Sequence, residues 1–340
     1  MRVEENVPLK DLSTFKVGGA ARYFCRAASF DDLKEAYRFA KSKKLKIFVL
    51  GGGSNILVSD AGFNGLVIKN EISGIKFTEK SGGLTLVEAG AGENWDALVA
   101  LCVSKNLWGL ENLSGIPGTV GAAPIQNIGA YGAEIKDTVK WVEVFDPKFM
   151  KRKVMTAEAC RFGYRDSRFK HSPDSRYVVT RLTLTLSTSP RPNLNYTDVK
   201  EFFAGRNGTP SLHEIREAVL KIRRHKLPDY EKIGTAGSFF KNPILSQEEF
   251  NRLRAQFPDL PGRPFGSRQI KISLAHIIDK ILGLKGFQKG PVAVHGRQAL
   301  VLVNLGNATA KEILLLAEEI ERRIKEKLGL EIEREVEIIK

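Results

Sequence analysis

Two glycine-rich segments have the residue types and spacing for binding an anion through the main chain. The first, GGGSN at 51–55, directly follows the apolar run IFVL at 47–50, which predicts a buried strand. The second, GIPGTVGAAPIQNIGAYG, spans 115–132, and its Gln126 and Asn127 offer polar contacts to a ligand. Glycine lets the backbone approach a ligand closely, and successive inward N–H groups form a nest for phosphate. A tight turn and an irregular structural loop are the alternatives, but two such clusters favour a long dinucleotide-like cofactor.

Two polar clusters could act on an anionic substrate. YRDS at 164–167 lies between apolar segments, and AGSFFKNP at 236–243 places a serine, a lysine and an asparagine beside two phenylalanines. An arginine, a serine and a lysine together can hold and protonate such a substrate. Equally, the two phenylalanines could be core residues, with Ser238 in a turn. Glu335 belongs to an acidic strand face, which is ordinarily solvated.

Other kinds of chemistry find little support in the sequence. None of the five histidines stands in an H-E-x-x-H motif or pairs with cysteines, so no metal site is predicted. The motifs G-x-S-x-G, G-x-x-x-x-G-K-[ST] and G-x-G-x-x-G are absent, which argues against a serine hydrolase, a P-loop enzyme and an ordinary Rossmann site. Cys25, Cys102 and Cys160 are far apart, which indicates isolated reduced thiols.

The elements that must position these residues are mixed helices and strands. Ser29 begins a helix over about 30–44, and a second helix covers about 93–106. Further strands are predicted at about 65–68, 141–145 and 177–186, and short alternating runs within 73–92 indicate antiparallel strands. A long Pro/Asn/Gly-rich loop covers 187–210. Three capping boxes begin later helices, at Ser211–Glu214, Ser246–Glu249 and Thr309–Glu312. In the final strand, 331–339, strict alternation puts four glutamates on one face: Glu331, Glu333, Glu335 and Glu337.

Length and charge limit the function classes. A chain of 340 residues is expected to form two or three domains at about 150 residues each. Its 53 Lys and Arg against 39 Asp and Glu give a net charge of +14, which favours nucleic acid, an acidic membrane or phosphorylated small molecules as partners. No apolar run approaches the roughly 18 residues of a membrane helix. The start, MRVEENVPLK, has acids where a signal peptide is apolar, so a cytoplasmic location is expected.

Taken in series, the motifs resemble the UDP-N-acetylenolpyruvoylglucosamine reductase family, also called UDP-N-acetylmuramate dehydrogenase. The resemblance covers nearly the whole chain in order. Besides the two glycine-rich segments and the final strand, these motifs carry it: STFKVGG at 13–19, GYRDSRFK at 163–170, KLPD at 226–229, GSFFKNP at 237–243 and VHGRQALVLVN at 294–304.

The resemblance implies an α+β fold. A two-subdomain FAD-binding domain of the vanillyl-alcohol-oxidase (PCMH) type would be joined by a smaller α+β substrate-binding domain. We expect subdomain 1 at 1–70, joined by the tail 331–340, subdomain 2 at 71–226, and the substrate domain at 227–330. Tyr196, in the loop 187–210, stands where type I enzymes carry a tyrosine that closes over the substrate. The chain is therefore expected to be type I, and we expect a monomer.

The implied chemistry is reduction of a UDP-linked enolpyruvyl amino sugar in peptidoglycan synthesis. NADPH would reduce FAD, and the reduced flavin would deliver hydride to C3 of the enolpyruvyl ether. Negative charge would then form on C2 and its carboxylate. Arg165 matches the family's arginine that polarises this carboxylate, Glu335 its glutamate that shares the enolate charge, and Ser238 its proton donor to C2.

The resemblance also assigns binding residues. The FAD diphosphate would lie on two groups of backbone: Gly51, Gly52, Gly53, Ser54 and Asn55, and Gly118, Gly121 and Ala122. The residues that match substrate-binding positions are Tyr164, Tyr196, Lys226, Asn242 and Gln298. Arg263 and Glu337 depart from the family pattern, where a tyrosine and an arginine are common, which puts nucleotide and phosphate contacts in doubt.

Two alternatives stay open from the sequence. A flavin oxidase or dehydrogenase of the vanillyl-alcohol-oxidase type would share the glycine segments but lack the joint Arg165, Ser238 and Glu335. A nucleic-acid-binding protein would account for the charge, but the chain has no zinc finger and no RNP1 pattern. The expected partners are therefore the small-molecule substrate and NADPH, without nucleic acid and without membrane insertion.

Overall fold

The structure is a computed structural model and describes residues 1–171 and 177–340. The chain forms two compact units. The first contains Met1–Val7, Ala21–Gly52 and Asn64–His225, and the second contains Pro8–Ala20, Gly53–Phe63 and Lys226–Lys340. The chain passes from the first unit to the second between His225 and Lys226, close to the predicted boundary after residue 226. The subdivision of 1–226 into two FAD-binding subdomains stays a prediction.

The first unit begins with a four-stranded sheet and a helix. The sheet has the order β1-β2-β5-β3, formed by β1 (Val3–Pro8), β2 (Ala20–Ala27), β3 (Lys46–Leu50) and β5 (Phe63–Asn70). Helix α1 (Phe30–Ser42) begins where the Ser29 side chain accepts a hydrogen bond from Asp32 N. Its apolar residues at 33, 36 and 40 recur at helical spacing and are buried with residues of β2 and β5. This packing places the end of β3, at Leu50, directly before the first glycine-rich segment.

A five-stranded antiparallel sheet forms the second core of the first unit. Its order is β11-β10-β12-β7-β6, and its strands are β6 (Ile75–Lys80), β7 (Leu84–Gly90), β10 (Val139–Asp146), β11 (Lys151–Thr156) and β12 (Val178–Ser187). Helices α2 (Trp95–Ser104) and α4 (Leu212–Lys226) share this core through residues such as Leu98 and Ile215. The pair β8 (Gly129–Ala130) and β9 (Ala133–Glu134) and the short helix α3 (Thr197–Phe202) complete this part.

The second unit is built from small sheets around a long helix. Strands β13 (Ile244–Ser246), β14 (Gly262–Phe265) and β15 (Gln269–Ile272) form one sheet. A second sheet contains β16 (Gln288–Lys289), β17 (Val292–Val294) and β18 (Leu302–Asn304), and a parallel pair joins β4 (Ile56–Val58) to β19 (Glu337–Ile339). Its helices are α5 (Gln247–Gln256), α6 (Leu274–His276) with a π-helical turn at Ile277–Ile281, and α7 (Ala310–Leu328).

The predicted helix starts are confirmed by their hydrogen bonds. Ser246 with Glu249, and Thr309 with Glu312, form complete capping boxes, and Ser211 exchanges the same bonds with Glu214. Helix α7 ends at Gly329, whose φ of +68° is the left-handed conformation that glycine adopts without strain. The three cysteines are buried and unbonded, and burial raises the pKa of each thiol to about 12.

The prediction of one continuous C-terminal strand is wrong. Regular pairing is limited to β19, and the preceding residues bond singly to a neighbouring segment instead of forming a ladder. Glu335 is therefore buried, at 9% exposure, whereas the glutamates at 331, 333 and 337 are exposed.

Asp96 fastens the second glycine-rich segment to helix α4. Its carboxylate accepts bonds from Arg216 Nη1 and Nη2 at 2.6 and 2.9 Å and from Gly115 N at 2.6 Å. Burial by itself would raise the pKa of the Asp96 carboxyl, but the guanidinium and the Gly115 N–H outweigh it, and the pKa lies below its ordinary value. The stabilisation is thus fully present above the unfolded-state pKa, and it disappears as pH falls through the folded-state pKa.

We expect Asp96→Asn to lower the free energy of unfolding by about 1–2 kcal/mol near neutral pH, less than for a fully buried pair because Asp96 is partly open to water. The difference from the original chain should shrink as pH falls below the unfolded-state pKa of about 4, as measured by urea unfolding. Asp31→Asn is the control, because that exposed first-turn aspartate pairs, among the residues that the structure describes, with Lys34 alone. A difference between the two unfolding energies that stays constant with pH would contradict this account.

Candidate active site

The two glycine-rich segments meet within the first unit. A Cβ on Gly52 would lie 2.5 Å from Gly118 Cα, and a Cβ on Gly51 would lie 3.2 Å from Ala122 Cβ. A Cβ on Gly121 would lie 2.5 Å from Ala91 Cβ. Side chains at Gly51 and Gly52 would force the two segments apart, and one at Gly121 would collide with Ala91, which precedes α2.

Two polar residues that the sequence analysis did not single out adjoin this contact. The Thr119 hydroxyl oxygen is buried, has no hydrogen-bond partner among the described residues, and lies 2.8 Å from the place of a Cβ on Gly51. Lys69, near the end of β5, donates from Nζ to the Gly51 carbonyl oxygen. The position of Thr119 between Gly118 and Gly121 was an available signal, whereas Lys69 has the pattern of an ordinary strand residue.

The rest of the first glycine-rich segment belongs to the second unit. Gly53 has a φ of +67°, and a Cβ there would collide with the Leu12 carbonyl oxygen. After Ser54, Asn55 bonds the C-terminal segment: its Nδ2 donates to Glu335 O at 3.1 Å, and its own carbonyl oxygen accepts from Glu337 N at 3.1 Å. These bonds hold the main chain of Glu335 beside the end of this segment.

Ser238 and Glu335 lie on neighbouring segments of the second unit. Glu335 N donates to Phe239 O at 2.8 Å, and Lys241 N donates to Glu333 O at 2.9 Å. Phe239 is fully buried and also bonds Leu300 through its N–H. The aromatic pair at 239–240 is thus core, as one interpretation of the sequence held, and its burial anchors Ser238 on one side of the pair.

The second unit also contains three of the predicted substrate-binding residues, Lys226, Asn242 and Gln298. Ser238 forms a bridge with Val301, whose N–H bonds Gln298 O at 3.0 Å. The Asn242 side-chain oxygen accepts from Leu274 N at 3.0 Å, which fixes its amide at the start of α6. Lys226 is half-buried at the end of α4.

Arg165 occupies the tip of a tight turn in the first unit. Gly163 and Asp166 bond each other across this turn, and Arg165 has a left-handed φ of 52°. Its Nη2 donates to Gly129 O at 2.8 Å, and its guanidinium lies 5.7 Å from the centre of the Tyr164 ring. A non-glycine residue in this conformation is strained, and such strain persists only where surrounding contacts hold it.

Asn127 has a structural role, unlike the ligand contact that the sequence suggested. It is fully buried. Its Nδ2 donates to Gly163 O at 2.8 Å and to Glu134 Oε2 at 2.9 Å, and its Oδ1 accepts from Lys136 N at 3.1 Å. These bonds use the amide to fasten the second glycine-rich segment to the turn that carries Arg165.

Tyr196 packs on the end of the second glycine-rich segment. Its ring meets that of Tyr131 edge to face, with centroids 5.4 Å apart. Asn112 Nδ2 donates to Tyr131 O at 2.8 Å and to Asn193 O at 2.9 Å, which joins the Tyr196 loop to this segment. Burial raises the pKa of the Tyr131 hydroxyl to about 12, so that residue remains protonated and neutral at physiological pH.

The predicted residues divide between the two units. The group in the first unit contains Gly51, Gly52, Gly118, Gly121, Ala122, Tyr164, Arg165 and Tyr196. The group in the second unit contains Gly53, Ser54, Asn55, Lys226, Ser238, Asn242, Gln298 and Glu335. In the residues that the structure describes, no three His, Cys, Asp or Glu side chains gather as a metal site. No helix there is long and apolar enough to cross a membrane.

Comparison with known proteins gives two family matches and full-length relatives. Residues 21–148 match a model described as an FAD binding domain. Residues 228–339 match the C-terminal domain of UDP-N-acetylenolpyruvoylglucosamine reductase. The enzyme of that name from Pseudomonas aeruginosa is 41% identical over 336 residues, 98% of each chain.

The chain belongs to the UDP-N-acetylenolpyruvoylglucosamine reductase family. Another reductase of this name, from Amoebophilus asiaticus, is 40% identical over the full length of both chains. The chain also matches the crystal structure of the Thermus caldophilus reductase over the full length of both proteins, with a TM-score of 0.69 and 30% sequence identity. As a member of the reductase family with an FAD binding domain, the protein is an FAD-containing oxidoreductase, and the expected α+β fold class is confirmed.

The glycine cradle of this reductase-family chain fits a dinucleotide diphosphate. This cradle is formed by Gly51, Gly52, Gly118 and Thr119, where Gly52 meets the Gly118 main chain and Gly51 adjoins the Thr119 hydroxyl. The buried Thr119 hydroxyl is a polar group that a ligand oxygen would satisfy. FAD has a diphosphate of the kind that backbone N–H groups bind, whereas the N–H groups of Gly121 and Ala122 already donate to Ala91 O and Thr119 O.

Proposed function

We propose that the protein reduces UDP-N-acetylglucosamine enolpyruvate to UDP-N-acetylmuramate, with NADPH as reductant and FAD as bound cofactor, in peptidoglycan synthesis. The observation that carries the proposal is the bonding of the Ser238 segment to the Glu335 segment. This bonding places Ser238, which carries a hydroxyl, and Glu335, which is buried, on neighbouring segments of the main chain. Both residues lie within the part of the chain that matches the reductase C-terminal domain.

FAD, when bound, supplies the hydride chemistry, from NADPH and then to C3 of the enolpyruvyl ether. The chain itself must handle the charge that results. Addition of hydride at C3 moves the double-bond electrons onto C2 and the carboxylate. The protein then has to hold that negative charge and add a proton at C2.

Arg165 is proposed to hold the substrate carboxylate. A guanidinium presents a rigid fork of donors that matches two carboxylate oxygens. The turn at 163–166 and the bond to Gly129 O fix this side chain before substrate arrives, so little reorganisation is needed.

Ser238 is proposed to give the proton to C2, with Glu335 stabilising the enolate. A serine hydroxyl is a weak acid, so it serves only a strongly basic carbanionic acceptor within an ordered network. The bond from Glu335 N to Phe239 O supplies that order, and Asn55 holds the same stretch through Glu335 O. Serine regains its proton from solvent after turnover.

The remaining predicted residues are proposed to bind the two nucleotides. FAD would lie on Gly51, Gly52, Gly53, Ser54, Asn55, Gly118, Gly121 and Ala122. Substrate would contact Tyr164, Tyr196, Lys226, Asn242 and Gln298, with the Lys226 ammonium as a partner for the diphosphate. We keep the proposal of two FAD-binding subdomains, at 1–70 with the tail and at 71–226, followed by a substrate domain at 227–330.

Tyr196→Phe is expected to raise the KM for the enolpyruvyl substrate by about 5- to 30-fold, the loss of one hydroxyl contact, while the rate of flavin reduction by NADPH stays the same. The phenylalanine ring keeps the edge-to-face contact with Tyr131, so the loop should retain its position. Steady-state kinetics and stopped-flow absorbance measure the two quantities. An unchanged KM would remove Tyr196 from the substrate site. Tyr177→Phe is the control, since that hydroxyl bonds Lys153 on β11.

The visible absorption spectrum of the purified protein tests the proposed function. It is recorded anaerobically with FAD, after adding NADPH, and again after adding the UDP-linked enolpyruvyl substrate. We expect two flavin bands that bleach with NADPH and return with substrate. A flavin that bleaches but does not return would assign a different substrate, and a protein that binds no FAD would overturn the proposal.

A further inference from the structure

Lys69 is a half-buried cation beside the first glycine-rich segment. It lies in β5 opposite Leu50 of β3, in parallel register. Its sequence neighbours Ile68 and Asn70 are buried. Burying an ammonium group costs free energy unless a partner compensates. Packing alone therefore does not account for a lysine at this position of β5.

The partner of Lys69 is a neutral main-chain group. Its Nζ donates to the Gly51 carbonyl oxygen, and in the described part of the chain it forms no ion pair. Two charged groups act on Lys69, the opposite charge of Glu71 and the like charge of Arg26, and these two bond each other. Burial, the largest influence, lowers the pKa of the Lys69 ammonium, Glu71 raises it and Arg26 lowers it. The positive charge of Lys69 is thus left without a carboxylate of its own.

This bond fixes the orientation of one peptide group. In a trans peptide, the carbonyl oxygen of one residue and the N–H of the next point in opposite directions. With Gly51 O turned towards Lys69, Gly52 N–H is turned away from it. The same segment also lies close to Gly118, since a Cβ on Gly52 would lie 2.5 Å from Gly118 Cα. The 51–52 peptide is therefore restrained both by the Lys69 bond and by this close approach.

A second observation at the same place indicates a ligand. The Thr119 hydroxyl oxygen, adjoining Gly51, is buried and has no partner among the described residues. Buried hydroxyl groups in folded proteins are ordinarily hydrogen-bonded. An oxygen-rich anion bound here would satisfy the hydroxyl; on the Gly52 N–H it would lie across the 51–52 peptide from Lys69, within the field of that charge.

We propose that Lys69 is a positioning residue for the FAD diphosphate: it orients the 51–52 peptide and supplies uncompensated positive charge to the cradle. This rests on the proposed function, in which the diphosphate lies on these glycines. The lysine acts on the ligand through the peptide and through its field.

The test measures FAD affinity of the refolded or stripped protein by flavin fluorescence, at low and at high salt. Lys69→Met keeps the stem and removes both the charge and the donor, and it should raise the dissociation constant by about 10- to 100-fold. Lys69→Arg should restore most of the affinity, and Lys69→Gln, an uncharged donor, should restore less. Lys46→Met, an exposed lysine at the other end of β3, is the matched control and should leave the affinity unchanged.

The salt dependence separates electrostatic positioning from a purely structural role. Affinity for FAD should fall more steeply with salt in the original chain than in Lys69→Met, because salt screens the charge that the variant lacks. Equal affinities, or a weaker variant with an unchanged salt dependence, would overturn the proposal for Lys69. If Lys69→Met does not fold, comparison of Lys69→Arg with Lys69→Gln decides the same question. Failure of the original chain to bind FAD would overturn the proposed function and this inference together.

Discussion

Ser238→Ala is expected to reduce product formation by about 10²- to 10⁴-fold, while FAD binding and flavin reduction by NADPH remain unchanged. The variant lacks the hydroxyl proposed to give its proton to C2, but it keeps the backbone of the segment. The neighbouring bonds at Phe239 use main-chain atoms only, so alanine should not disturb them.

The measurement separates the two halves of the reaction. Stopped-flow absorbance follows bleaching by NADPH and then recovery with substrate, and a product assay gives the overall rate. Ser104→Ala is a suitable control, because that exposed hydroxyl donates to Leu101 O of its own helix. If Ser238→Ala forms product at the normal rate, the proton donor is a different group.

Arg165→Met should lower kcat/KM for the enolpyruvyl substrate by about 10²- to 10³-fold, the loss found when a charge-stabilising donor is removed from a site. Methionine retains length and apolar packing but has no donor for the carboxylate. The kcat/KM of Arg165→Lys should lie between those of the original chain and Arg165→Met, since an ammonium keeps the charge but cannot donate in the paired geometry of a guanidinium. Flavin reduction by NADPH should be unaffected in both variants.

A second arginine in the same backbone conformation provides the control for effects of backbone strain. Arg161 also has a left-handed φ, 49°, and is exposed four residues earlier in the chain. Arg161→Met therefore repeats the change of side chain at a similar backbone geometry without touching the proposed site. Equal losses of activity in the two methionine variants would indicate disruption of the 158–167 region rather than a role in charge stabilisation.

Local elements were predictable because their causes lie within a few residues. The bonds that begin helices at Ser246 and Thr309 run to glutamates three positions later, so a four-residue pattern contains the whole interaction. Burial of one face of α1 and α7 follows from apolar spacing. The antiparallel pairing of β6 with β7 was likewise expected from two adjacent short runs.

The environment of Glu335 could not be derived from its own pattern. Alternation treats the glutamates at 331, 333, 335 and 337 as equivalent, yet only Glu335 among them is buried. The difference comes from bonds to the segment at 239–241, more than 90 residues earlier in the chain. The resemblance to the family singled out Glu335, whereas the residue types alone favoured a solvated face.

The contacts of Asn127 and Lys69 could not be predicted from residue type either. Asn127 was expected to contact a ligand, but its Nδ2 donates to Gly163 O and to Glu134 Oε2. Lys69 stood in an ordinary strand, but its side chain reaches the Gly51 carbonyl oxygen. Residue type gives the capacity for a contact, and only the packed chain decides which partner a polar side chain finds.

Residue patterns alone were enough to predict the helix starts and the two glycine-rich segments, and a series of motifs predicted the family and, through it, the α+β class. These properties depend on short-range patterns and on residues that a backbone conformation demands. Only the tertiary structure decided that Gly52 meets Gly118, that the Ser238 segment bonds the Glu335 segment, and that Arg165 is held on Gly129. Such contacts join residues tens or hundreds of positions apart, and their geometry arises from the packing of whole sheets and helices.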